Sequence, residues 1–146
     1  MPVGIILILI LMGCSILSAL FALIHPVNQI GPILLTGGWA LIMDWIVIAA
    51  LGIMFYGIIK RFIWARKVTI GWHAVSMCLL LINLIAFIKN NTMYKKYYDQ
   101  ILTPQMASLM NASMIKISLI VALIFGWIIG IIVIVYLIKK KDFFSE

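Results

Sequence analysis

Acidic side chains are nearly missing from this chain. Its 146 residues hold four Asp and Glu against eleven Lys and Arg, and charged residues make up only 10% of the total. An ordinary soluble domain carries about 25% charge, so a water-facing surface of the usual size is excluded. Cysteine is equally scarce: Cys14 and Cys78 lie 64 residues apart, with no C-x-x-C and no His beside them in sequence. That spacing signals neither a metal site nor redox chemistry, and both are expected as small apolar packing residues. No Walker motif, nucleophile elbow, H-E-x-x-H or paired carboxylate is present, which leaves a hydrolase or ATPase without machinery.

What fills the chain instead is apolar. Hydrophobic residues make up 66% of it, in four long stretches at about residues 3–24, 39–59, 70–88 and 117–138. At about 1.5 Å per helical residue each can cross a hydrocarbon core of about 30 Å. Inside lipid every backbone N–H and C=O needs a local partner, so the stretches are expected to be α-helices. The expected fold is all-α, a single four-helix transmembrane domain over residues 1–146. The first stretch is expected to be retained as a helix. Met1 to Gly4 carry no Lys or Arg, and the apolar run exceeds a signal-peptide core. Leu11-Met12-Gly13-Cys14 resembles a lipoprotein cleavage box only superficially.

Pro26 removes a donor and pushes His25 out of helical geometry, ending the first helix. Residues 30–38 contain Gly31-Pro32 and Gly37-Gly38, which read as turns. This apolar but broken segment is expected to lie at the membrane surface or to dip in as a re-entrant stretch. Residues 62–69 read as a short basic link between spans two and three. Thr103-Pro104 reads as an N-cap and first helical position, so helix four is expected to start outside the membrane.

Basic residues set the orientation. Lys60, Arg61, Arg66, Lys67, Lys139, Lys140 and Lys141 fall on one side of a four-span chain; Lys89, Lys95, Lys96 and Lys116 fall on the other. The positive-inside rule then places both termini in the cytoplasm. The first seven are expected at lipid headgroups, making the bilayer the partner for the +7 net charge rather than nucleic acid. Trp39, Trp64, Trp72 and Tyr136 sit near span ends, where an aromatic belt would be.

Few residues are candidates for chemistry. Asp44 lies inside span two, where a carboxylate costs about 2.5–3.5 kcal/mol on insertion scales and should face protein or water. It is the candidate ion or proton relay, with His25 and Asn83 as helpers. His25 and His73 are expected near opposite membrane faces, which disfavours a shared metal or a bis-histidine haem, and no cofactor is expected. Two sequons, at Asn90 and Asn111, fall in the outer loop. Ala122, Gly126 and Gly130 share one helical face at four-residue spacing, and Ser15 with Ala19 offers another. These are expected packing faces, spans one and four against each other first, another chain second.

Arg61-Phe62, Gly71-Trp72 and Ile115-Lys116-Ile117-Ser118-Leu119 look like the spacing of copper-resistance-D-type membrane domains over about half the chain. His25-Pro26 with the apolar stretch after it looks a little like the mitochondrial NADH dehydrogenase subunit 6 family. That family has five spans, and a fifth would require residues 26–59 to hold two. Neither resemblance assigns a functional residue. The residues themselves favour a non-catalytic integral subunit of a larger membrane assembly. The alternative is a small oligomeric transporter or ion-conducting protein coupled through Asp44, its pathway expected between protomers because four short helices enclose little space.

Overall fold

The computed structural model describes residues 1–89 and 112–144. The elements in chain order are α1 (Val3–Ala22), a hairpin of β1 (Val27–Ile30) and β2 (Ile33–Thr36), α2 (Gly38–Ile59), α3 (Ile63–Lys89) and α4 (Ala112–Lys139), with one 3-10 turn at Lys141–Phe143. Each of the four helices contains a segment long and apolar enough to cross a membrane. Their large apolar side chains point outward along most of their length, among them Phe21, Ile53, Phe125 and Ile132. Lipid is the environment in which such a surface is stable. This is an all-α bundle of four helices, each apolar enough to span a membrane. Cys14 and Cys78 are free and exposed, so they face outward and do not fill the interior as packing residues.

The segment after α1 is a regular element and not a broken one. α1 tightens through Leu23, Ile24 and His25, whose amides bond carbonyls three residues back, and stops where Pro26 ends helical geometry. Val27 then pairs with Thr36, and Ile30 with Ile33, in antiparallel register. The two-residue loop is Gly31-Pro32, with Gly31 at φ +57°. Positive φ followed by proline fits a type II′ turn, whose twist matches that of a hairpin. The β-branched and apolar residues here favour strand, and the turn chemistry fixes where the chain reverses.

The second surprise is the start of α3. Residues 63–69 are its first two turns, not a link. Ala65, Arg66 and Lys67 are strong helix formers and nothing before Lys89 breaks the helix. The connection shrinks to three residues. Lys60 caps α2, Arg61 adopts φ +63°, and Phe62 turns into α3. The Arg61 amide bonds Ile58 O at 3.1 Å and the Phe62 amide bonds Gly57 O at 2.9 Å. These two bonds are the Schellman pattern, with arginine where glycine is usual. Gly57 lets the helices meet: a Cβ there would sit 2.5 Å from Ala65 Cβ.

The core gathers at this end. Ile5 and Ile8 of α1, Met54 and Ile58 of α2, Ala65 of α3, and Val133 and Leu137 of α4 form one buried cluster, closed by Phe144. Both chain ends and the α2–α3 turn therefore lie at one pole, and the hairpin lies at the other. α1 packs on α2, α2 on α3, and α3 on α4. The small-residue face of α4 meets α3 and not α1: Gly126 faces Leu80 and Gly130 faces Met77. Trp127 Nε1 donates to Met77 O at 3.2 Å in the same seam. α1 approaches α4 where Gly4 lies under the Tyr136 ring. The expected helix start at Thr103-Pro104 and the Asn90 and Asn111 sequons lie outside the described residues.

Candidate functional site

Asp44 sits six residues into α2, about 9 Å along its axis from Gly38. Its side chain is 5% exposed. Asn28 of β1 donates from Nδ2 to Asp44 Oδ1 at 2.7 Å and to Ala40 O at 3.1 Å. Asp44 Oδ2 is buried with no hydrogen-bond partner. A carboxylate oxygen in that state is costly, because burial strips its water and nothing replaces it.

Asp44 lines a half-open cavity of about 520 Å³ between the helices. All four helices and β1 contribute to its wall, and it is open on one side, where Leu11, Ser15 and Ser18 of α1 are exposed. On α1 the lining runs from Ile8 to Ala22, about 21 Å of helix. Most of the wall is aliphatic or methionine. Its polar members are Asp44, Asn28, Thr69, His73, Ser15 and Ser18. Thr69 is 1% exposed and its hydroxyl oxygen also lacks a partner. Ser15 donates to Leu11 O at 2.9 Å within α1.

The other expected site residues go elsewhere. His25 is exposed at the end of α1 and is not among the cavity residues. Asn83 holds the hairpin tip: its Oδ1 accepts from the Gly31 amide at 2.7 Å and its Nδ2 donates to Gln29 O at 3.2 Å. Gln29 Nε2 donates in turn to Gly31 O at 3.0 Å. These three bonds satisfy backbone groups at the turn that lipid could not. Ser15 and Ala19 face the cavity rather than a packed helix. Ala122 is exposed, while Gly130 beneath it is buried.

At the termini pole, Lys60 Nζ lies 5.9 Å from the Tyr56 ring centroid and the Arg61 guanidinium 4.8 Å from that of Phe143. Arg66 keeps a buried Nε without a partner. Lys67, Lys139, Lys140 and Lys141 are exposed. All seven basic residues lie around this pole.

Thr69, Trp72 and His73 were missing from the candidates read off the sequence. They share one face of α3 at spacings of three and four, and that was a usable signal. It was hidden by placing the helix start at residue 70. With the start at Ile63, His73 lies ten residues in, about 15 Å from that end, and Trp72 lines the cavity instead of joining an aromatic belt. Asn28 carried no sequence signal at all. Among the described residues no group of three His, Cys, Asp or Glu side chains could hold a metal ion.

A comparison of the chain with protein-family models, with curated proteins and with solved structures finds no match in any of the three.

Proposed function

We propose that this protein is a small multi-pass membrane transporter or ion-conducting protein in which Asp44 takes up and releases a proton or cation inside the bundle. One observation carries the reading: a buried carboxylate, with one oxygen satisfied and the other empty-handed, lies on a long, half-open cavity lined by four apolar helices. A carboxylate kept only for structure would be expected to have both oxygens bonded. An ionisable residue at such depth is expensive and is best explained by use. Thr69 and His73 extend the polar lining from Asp44 toward the termini pole. The seven basic residues at that pole support a cytoplasmic location for both termini, with the hairpin on the outer side.

Reconstitution in liposomes with an internal pH dye tests it. Under an imposed potential the wild-type chain dissipates a proton gradient, and Asp44→Asn falls to the rate of empty vesicles at equal protein content. Flux retained in Asp44→Asn, with normal folding, ends the proposal.

The second reading is an integral subunit of a larger membrane assembly. It is favoured by α3, whose candidate span is only 6% buried, and by Ala122, which stands exposed above Gly126 and Gly130. Gly126 and Gly130 are committed to α3, so Ala122→Trp is the variant that probes an outer contact. Gentle-detergent purification with mass spectrometry, and a visible spectrum of the same sample, would return stoichiometric partners that Ala122→Trp releases. A clean, colourless homo-oligomer in wild type would exclude it.

A further inference from the structure

Taking Asp44 as the carboxylate that binds the transported species, we infer that the cavity accepts a primary ammonium group carried on an unbranched apolar chain. The shape comes first. The lining of this cavity of about 520 Å³ runs about 21 Å along α1 and about 15 Å along α2, which makes it an elongated, half-open groove. It far exceeds what a proton or a single water requires, since a water's share of liquid volume is about 30 Å³.

The chemistry of the wall follows the same axis. Asp44 lies about 22 Å from the α2–α3 turn and Thr69 about 9 Å from it. The two unpartnered oxygens are therefore separated by about 13 Å along the bundle and cannot close around one ion. A hard cation such as magnesium or calcium needs six to eight gathered oxygens, and the lining does not gather them. Between Asp44 and Thr69 the wall is Val47, Leu51 and Met54 on α2, with Trp72 and the His73 imidazole on α3, so an aliphatic strip suited to methylene groups runs along the α2 side.

Charge and hydrogen bonding select the head group. Among the described residues Asp44 is the one acidic side chain in the lining, and His73 on α3 is the one other titratable side chain there; α1, β1 and the described part of α4 present none. Asp44 Oδ2 lacks a donor, and an –NH₃⁺ brings three donors and the opposite charge. A quaternary ammonium brings charge without donors, and an alcohol brings a donor without charge. Of these three the primary ammonium answers both deficits and has the slimmest head, with its chain lying along Val47, Leu51 and Met54.

The test is calorimetric titration of the full chain in lipid nanodiscs with n-octylammonium, n-octanol and octanoate. Wild type is expected to bind octylammonium saturably and the other two at least tenfold more weakly. Asp44→Asn should weaken octylammonium at least tenfold, while Asp44→Glu keeps it within a few-fold. Ala19→Trp fills the cavity from α1, outside the buried core cluster, keeps every polar group, and should abolish binding. Equal affinity in Asp44→Asn, or for octanol, overturns the inference, as does binding that survives Ala19→Trp. Asp44-dependent proton flux without octylammonium binding overturns the occupant and leaves the transport reading standing. Saturable binding without flux does the reverse.

Discussion

Asn28 and Asp44 are 16 residues apart in sequence, and a 2.7 Å bond from Asn28 Nδ2 to Asp44 Oδ1 joins the hairpin to α2. The same amide also reaches Ala40 O at 3.1 Å, so one side chain orients the carboxylate and ties β1 to the first turn of α2. Hydrogen bonds to charged groups contribute about 1.5–3 kcal/mol. Asn28→Ala is therefore expected to lower stability by about 2 kcal/mol, measured as a shift in thermal unfolding in detergent. It should also change Asp44-dependent flux, because both carboxylate oxygens are then unpartnered. Unchanged flux would show that the orientation of Asp44 does not matter.

Asn83 makes a separable prediction. Its two bonds hold the hairpin tip against α3, and each is worth about 1 kcal/mol. Asn83→Ala should accelerate hydrogen exchange of the Gly31 amide by tenfold or more and leave the amides of the core helices unchanged. Uniform acceleration across the protein would mean that the tip is part of the global unit.

Arg61 occupies left-handed geometry at φ +63°, a conformation that costs an L-residue about 1–2 kcal/mol. Its stacking over the Phe143 ring at 4.8 Å returns about 0.5–1 kcal/mol at an exposed site. Arg61→Gly should thus be neutral or slightly stabilising. Arg61→Val should be destabilising by more than about 1 kcal/mol, since a β-branched side chain is poorest there. In a Phe143→Ala background the benefit of glycine should grow. Thermal melts of the four variants decide it.

Two glycines at helix crossings should respond differently to alanine. At Gly57 the new Cβ would meet Ala65 Cβ at 2.5 Å and the Trp64 ring at 2.9 Å, so α2 and α3 must part. Overpacking of that kind costs about 1–3 kcal/mol. At Gly130 the nearest atom is Met77 Sδ at 2.8 Å, on a side chain with three rotatable bonds that can move aside. Gly57→Ala should lower the melting temperature clearly and Gly130→Ala much less, while Gly130→Leu should match Gly57→Ala. Equal effects of the two alanines would contradict this packing.

The four helices were legible because the apolar runs are long and lipid permits few alternatives. Asp44 was legible as well, being the lone carboxylate inside an apolar run. The hairpin was half-legible: Gly31-Pro32 announced a turn, but the four-residue strands Val-Asn-Gln-Ile and Ile-Leu-Leu-Thr have no period long enough to separate strand from buried helix. The start of α3 was missed because Arg66 and Lys67 read as a charged loop. In lipid such residues can equally begin a helix whose long side chains reach the interface. That single boundary carried Thr69, Trp72 and His73 out of the candidate site. The glycine face of α4 was recognised, but its partner was not, because a small-residue pattern says that something approaches and not which helix.

The two polar ties of the hairpin and the three-residue turn at Lys60–Phe62 act at opposite poles on the same pair of helices. α2 and α3 are consequently framed at both ends, and Trp127 pins α4 to α3. α1 is held by Ile5, Ile8 and Met12, apolar contacts that lipid tails can replace at little cost. α1 is thus seated on α2 by side-chain packing, and the face it turns toward Asp44 carries Ser15, Ser18 and Ala19.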